Sequence, residues 1–153
     1  MARLLLTVLL LLPLPALAQQ TRDELRRSIY FGGGSYEIDE FQAEGLYHWL
    51  DSIPDLLEKY HLQLISHTDP IGGRAFNEWL SEMRGDAVLQ LLLQKNIPPY
   101  KINVKNWGLD NPVYSNETYN GMQLNRRVDV ILYPIIYRKA CPATRQKGGC
   151  LRV

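Results

Sequence analysis

An apolar run that breaks into polar residues, a turn of proline and glycine, and a long amphipathic stretch together constrain this chain more than any other feature. The run from His61 to Thr68 alternates as a strand, with Leu62, Leu64 and Ser66 on one face and Gln63, Ile65 and His67 on the other. Asp69-Pro70-Ile71-Gly72-Gly73 reads as a turn or loop. From Ala75 to Lys95, Phe76, Leu80, Met83, Ala87, Val88, Leu91 and Leu92 form a stripe at helical spacing, and Asn96-Ile97-Pro98-Pro99 stops it. The chain is thus committed to a strand, a tight reversal and a helix packed back on the strand.

The flanking segments extend this unit. Ser28 to Phe31 is a short strand candidate, followed by a flexible Gly32-Gly33-Gly34-Ser35 turn; no Gly-Lys-Ser/Thr follows, so it is not a phosphate-cradling loop. Apolar residues from Ile38 to Tyr60 recur at helical spacing, with Ser35 or Asp39 placed to cap the start and Pro54 predicting a kink or break. Ile102 to Trp107 is a third strand, and Gly108 to Gly121 a polar loop with at most a short helix. Arg127 to Tyr133 is a fourth strand, ended by Pro134. Alternating strands and helices predict an α/β (α+β) sandwich of βαβαβ type, its helices on one face of a mixed four-stranded sheet.

The N-terminus has a charged start, an apolar run from Leu4 to Leu12 and a small-residue end at Ala16-Leu17-Ala18, the pattern of a secretory signal peptide over residues 1–18. Pro13, Pro15 and the shortness of the run argue against a membrane span. No cysteine lies near the cleavage point, so a lipid anchor is not expected. Residues 19–27 read as a charged lead-in, 28–136 as the domain and 137–153 as a tail. The formal charge is +1, and loss of Arg3 with the signal makes it neutral, which gives no footprint for nucleic acid and no polybasic membrane patch. Cys141 and Cys150 bracket Pro142, Gly148 and Gly149, and an exported compartment favours a local disulfide between them.

The chemistry is concentrated around the central turn. Asn77 and Arg84 are two helical turns apart on one face, and Asp69 closes the preceding strand. A guanidinium can grip a carboxylate with two parallel bonds, and Asp69 can accept from an ammonium group. Gly72 and Gly73 allow close backbone approach, the N–H groups of Asp69 and Ile71 are potential donors, and the helix N-terminus favours an anionic group. These features suit a small zwitterion. Equally, Asp69 and Arg84 can pair with each other as an internal salt bridge tying strand to helix.

Several of these motifs, in this order, resemble the OmpA C-terminal-like (OmpA/MotB/Pal) family, the peptidoglycan-associated domain of outer-membrane proteins, lipoproteins and flagellar stator subunits. They are Ser66-His67-Thr68-Asp69, Gly72, Asn77-Glu78-Trp79-Leu80-Ser81-Glu82-Met83-Arg84, the Gly108 to Pro112 turn, and Asn125-Arg126-Arg127-Val128, spread over about Ile29 to Pro134. The resemblance implies non-covalent, metal-free binding of the meso-diaminopimelate residue in the peptide stem of peptidoglycan, in the periplasm. It implies that Asp69 holds the ligand ammonium and Arg84 its carboxylate, that Asn77 and Arg126 add polar contacts, and that the backbone of Gly34, Asp69 and Ile71 completes the cradle. Two residues depart from the pattern: Ser66 stands where the family has Gly, and Gly85 where it has Ala.

Other residues carry less. His67 is expected to pack beside the site, and three scattered histidines make no zinc site. Trp49, Trp79 and Trp107 are expected mainly in the core, with Trp79 or Trp107 bordering the groove as the alternative, and Arg127 as a solvated or strand-edge charge. No cofactor is expected, and no catalytic set appears: there are no framed acid pairs, no Gly-x-Ser-x-Gly, and no histidine partner for either cysteine. Asn116-Glu117-Thr118 matches a glycosylation sequon that matters only in a eukaryotic secretory pathway. The expectation is a wall-binding domain that anchors or adapts an envelope component, with an envelope protein as a further partner. The alternative is an interaction protein that keeps the fold and binds a partner through residues 141–153.

Overall fold

The computed structural model describes residues 25–135; the signal segment and the Cys141–Cys150 tail lie outside the described residues. In chain order the elements are β1 (Leu25–Tyr30), α1 (Glu40–Asp51), α2 (Leu56–Lys59), β2 (Tyr60–His67), α3 (Arg74–Gln94), β3 (Ile102–Gly108), α4 (Tyr119–Asn125) and β4 (Arg127–Pro134). The sheet order is β1-β4-β2-β3. β2 and β3 run parallel, and β4 is antiparallel to both β1 and β2. This is the expected mixed four-stranded α/β sandwich, with β4 inserted between β1 and β2.

Local chemistry sets the boundaries. Asp39 caps α1 by accepting from the Gln42 N–H at 2.9 Å, and the break expected at Pro54 falls between α1 and α2, with Asp55 in a left-handed conformation. Asn96, also left-handed, ends α3, and Thr118 caps α4 through the Gly121 N–H at 3.0 Å. β1 starts earlier than the sequence indicates, at Leu25. Leu25 pairs with Leu132 and packs on the core, so the charged lead-in hides the first turn of an edge strand.

The sandwich buries one side of the sheet. Ile29, Leu62, Leu64, Val128, Val130 and Leu132 meet Leu46, Leu50, Val88 and Leu92 from α1 and α3. α3 lies on β2 and β3, and α1 on β1. Phe76, expected in the helix stripe, is half-exposed, as are Trp79 and Trp107, whereas Trp49 packs partly buried against the core. Phe76 and Trp79 stand on a different face of α3 from Asn77 and Leu80, which are buried in the same turns.

The two departures from the family pattern touch each other. A Cβ on Gly85 would lie 2.9 Å from Ser66 Oγ and 2.9 Å from Asn106 Oδ1. A family-like Gly at 66 and Ala at 85 has therefore become Ser66 opposite Gly85, a small-for-large exchange across the β2–α3 contact. Gly85→Ala alone should destabilise the fold by about 1–2 kcal/mol through overpacking, despite the helix propensity of alanine. In a Ser66→Gly background the same change should cost measurably less, the contact with Asn106 Oδ1 remaining. Denaturant unfolding of the double-mutant cycle checks this, and a coupling near zero would refute the contact.

Candidate functional site

The strand registers bring the ends of four elements to one edge of the sheet. Tyr30 faces Arg127, Ser66 faces Val128 and His67 faces Gly108, so the loops after β1, β2 and β3 and the start of β4 gather there. Between the β1–α1 loop and the β2–α3 loop lies a concavity of about 170 Å³. At about 30 Å³ per water that is room for roughly five or six waters, the size of one end of an amino acid. Gly33 and Gly34 form one wall and Asp69, Ile71 and Gly72 the other; Phe76 and Leu80 of α3 add an apolar side, and Arg126 reaches in from beside β4.

Arg84 is fully buried beside this concavity. Its Nε donates to Ser35 O at 2.9 Å, Nη2 to Gly32 O at 2.9 Å and Nη1 to His67 O at 3.3 Å. Its guanidinium also lies 5.1 Å from the centre of the Phe31 ring. One side chain thus staples the glycine turn to the end of β2. Burial lowers its pKa to about 10, with the Asp69 carboxylate pushing it back up and the Arg126 charge lowering it, so Arg84 is a cation at neutral pH.

The internal ion pair envisaged for Asp69 exists, but its cation is Arg126. Arg126 Nη1 donates to Asp69 Oδ2 at 3.3 Å, and both side chains are nearly buried. Among the described residues Asp69 has no ion pair with Arg84, because Arg84 is committed to carbonyl oxygens. The pair is a single long contact, and Arg126 Nε has no hydrogen-bond partner. Asn77 holds the β2–α3 loop, its Nδ2 donating to Ile71 O at 3.1 Å and Gly73 O at 3.3 Å; its buried Oδ1 and the neighbouring Thr68 Oγ1 have no partner. The Ile71 side chain is 62 % exposed and only its backbone belongs to the turn.

The glycines divide their roles. Gly34 (φ +67°) and Gly72 (φ +101°) take left-handed conformations that favour glycine, and Gly34 faces open space. A Cβ on Gly33 would lie 3.2 Å from Arg126 Nη1, so Gly33 rather than Gly34 clears room for the cation. Gly33, Phe76 and Leu80 are site residues that the sequence reading missed. The Gly32-Gly33-Gly34 run was the available signal, but nothing in it distinguishes which glycine meets Arg126.

A second polar cluster sits on the sheet face opposite α1 and α3, against the end of α4. Arg127 is 2 % exposed and grips Asp129 from Nε at 3.1 and 3.2 Å, which corrects its reading as a solvated charge. Alternate β4 residues share a face, so the Arg-Val-Asp spacing carried this pairing. Ser28 Oγ donates to Asp129 at 2.6 Å, and Arg127 lies 5.3 Å from the Tyr114 ring centre. His67 points to this face, edge-on to Trp107 at 5.4 Å, while its carbonyl accepts from Arg84. Among the described residues no three His, Cys, Asp or Glu side chains stand close enough to hold a metal.

Burial, and then the Arg127 charge, lower the His67 pKa to about 4, with Asp129 opposing. The unfolded chain therefore binds a proton near pH 6.5 that the folded chain refuses until about pH 4. Stability is full above pH 6.5 and falls between there and about 4, by at most about 1.4 kcal/mol per pH unit. Unfolding midpoints measured from pH 7 to 5 should show this slope in the native chain and lose it in His67→Asn. Arg84→Ala should destabilise by about 3 kcal/mol or more, because buried carbonyl groups lose their donors. An unfolding midpoint close to that of the native chain would refute the staple.

A model of the OmpA family matches residues 30–126 of this chain. Among curated relatives, outer membrane porin F of Pseudomonas fluorescens is 35 % identical over 81 residues, 51 % of this chain and 25 % of the relative. The probable lipoprotein YiaD of Escherichia coli K12 is 35 % identical over 77 residues, 50 % of this chain and 35 % of the relative. These matches span about a quarter to a third of those relatives. Among solved structures, the peptidoglycan-associated lipoprotein of Burkholderia pseudomallei superposes with a TM-score of 0.59 at 24 % identity, covering 70 % of this chain and 90 % of that one. The C-terminal domain of Helicobacter pylori MotB gives 0.64 at 19 %, covering 72 % and 86 %. Both share the fold.

Proposed function

We propose that this chain, which belongs to the OmpA family, binds peptidoglycan non-covalently by receiving the zwitterionic end of a meso-diaminopimelate residue between Asp69 and its arginines. The observation that carries the reading is the ion pair lining the concavity. Asp69 and Arg126 meet through one 3.3 Å contact, Arg126 Nε is unpaired, and the space is the size of one amino-acid end. Removing one member of a nearly buried pair is costly, because the other charge is stranded. A ligand with its own ammonium and carboxylate avoids that cost: its ammonium meets Asp69, its carboxylate meets the guanidinium, and both protein charges stay compensated. Arg126, at the rim, is the first contact for the carboxylate. Arg84 has N–H groups beyond the three it uses, and carboxylate binding there follows the family pattern.

Asn77 serves this site by holding the Ile71 and Gly73 carbonyls in the turn, while its own Oδ1 is buried without a partner. The concavity carries donors and acceptors without a nucleophile and base, since the His67 ring lies on the other side of the sheet. The reading is therefore binding without chemistry. A relative is named as an outer membrane porin and another as a probable lipoprotein, which supports a place in the envelope and a role in holding an envelope component to the wall.

Asp69→Asn and Arg126→Gln preserve size and remove one charge each. Retention on sacculi containing meso-diaminopimelate should fall roughly tenfold or more in each, since bonds to charged groups contribute about 1.5–3 kcal/mol. Walls with lysine in place of diaminopimelate, which lack the side-chain carboxylate, should retain the native chain less well. Native-like retention of both variants, with folding verified by circular dichroism, would sink the assignment.

A further inference from the structure

The neutral total of the mature chain hides a segregation of charge. Residues 136–153 carry Arg138, Lys139, Arg145, Lys147 and Arg152 and no acid, so the rest of the mature chain is acidic by the same amount. Read from the total, the charge predicts no polybasic patch; its distribution shows one. The fold fixes where this basic tail begins. β4 ends at Pro134, opposite Tyr60 at the start of β2, and the Ile135 N–H donates to Lys59 O at 2.7 Å. The clamp lies past His67, at the other end of β2. The eight residues of β2 set the two ends about 25 Å apart. Other charges at the tail's end nearly cancel. Lys95 meets Asp51 at 2.6 Å, Lys59 meets Asp55 at 2.8 Å, and Lys101 offsets Glu58 in sign. Residues 19–24, which lead into β1 at this end, add Arg22 against Asp23 and Glu24. The tail's bases therefore set the sign of this end.

At the same end a concavity of about 250 Å³ opens between the starts of β2 and β3 and the end of β4. Lys101, His61, Gln63, Asn103, Tyr100 and Tyr133 line it, with no acid among the described residues of its wall, and Tyr100 is 79 % exposed. Ammonium, amide and phenol donors converge there, a set that suits an anionic oxygen group. We infer that this end of the molecule docks on an anionic phospholipid leaflet, the tail laying its cations on the headgroups and the concavity taking one phosphate. The tail interleaves its cations with Ile136, Tyr137, Leu151 and Val153, and charge together with apolar anchors makes the two signals that a lasting lipid attachment needs. An exposed tyrosine, apolar in its ring and polar at its tip, suits the headgroup level. An acidic protein would answer the charges alone; a leaflet also has an acyl boundary just beneath its charge, which matches the apolar residues. The inference stands apart from the clamp. With the clamp at the opposite end, the molecule would hold a wall ligand on one side and a membrane on the other.

The test is co-sedimentation of the full mature chain with phosphatidylcholine vesicles, made with and without phosphatidylglycerol. Each base brought to an anionic leaflet multiplies affinity about fivefold. The native chain should therefore bind the phosphatidylglycerol vesicles at least about a hundredfold more tightly than the neutral ones, and should lose most of that preference in high salt. Replacing every base of the tail by Gln should abolish the preference, and Lys101→Gln should weaken it about fivefold. Both variants should keep native retention on sacculi, and Asp69→Asn should keep native vesicle binding. Equal binding of the native chain to both vesicles, or a preference that survives neutralisation of the tail, overturns the inference. A neutralised tail that costs sacculus retention and leaves vesicle binding as it was marks the tail as a wall contact and overturns it too. Native vesicle binding in Lys101→Gln removes the concavity from the docking surface. Failure of the native chain on sacculi overturns the clamp alone.

Discussion

The site depends on one buried guanidinium. Arg84 donates three bonds, to the carbonyls of Gly32, Ser35 and His67, which belong to the β1–α1 loop and the end of β2, far apart in sequence. Backbone carbonyls at strand ends and in a glycine turn have no ladder partner, and burying them without donors is costly. A cation with five donors in a planar fork answers several at once, where lysine offers a point charge. The β1–α1 turn can be rich in glycine because an arginine from α3 fixes it from beneath. Without that anchor the wall facing Asp69 would have no set position.

The clamp then follows from what Arg84 leaves undone. Since it is occupied by carbonyls, the compensating charge for Asp69 comes from Arg126, which sits at the rim and makes a single long bond. A pair of this kind is held without being saturated. It costs little to open for a ligand that supplies both missing charges, and much to open for one that supplies a single charge. In the proposed function, selectivity for a zwitterionic group is an electrostatic consequence of this pairing and requires no large pocket.

The sheet serves two purposes on its two faces. Its helix side is apolar and carries the sandwich. Its other side carries Asp129, held by Ser28 and Arg127, with His67 against Trp107 nearby. This cluster fixes the start of β4, and so the position of Arg126 immediately before it. Asn125 adds to the same end, its amide bonding Tyr114 O at 2.8 Å and Asn116 at 2.7 Å while its Oδ1 accepts from Tyr114 N. The residues around Arg126 are therefore anchored by polar contacts on the far side from the concavity.

Periodicity and punctuation in the sequence determined the elements: the alternation in His61 to Thr68, the stripe along α3, the break near Pro54 and the stop at Asn96 are local facts of spacing and backbone preference. The motif order around Asp69, Asn77, Arg84 and Arg126 likewise identified which residues gather at the site. Only the tertiary structure decided how those charges pair. Arg84 lies within a few helical turns of Asp69 in sequence and Arg126 lies 57 positions away, yet Arg126 is the partner, because long-range packing fills the donors of Arg84 with carbonyls. The same holds for Arg127, which is buried on the sheet face opposite α1 and α3, and for Phe76, which the helical stripe assigns to the core although it stands on a different face of α3 from the buried Asn77, Leu80 and Arg84. Local sequence fixes which way a side chain points along its own element; what it meets there depends on the other elements that arrive.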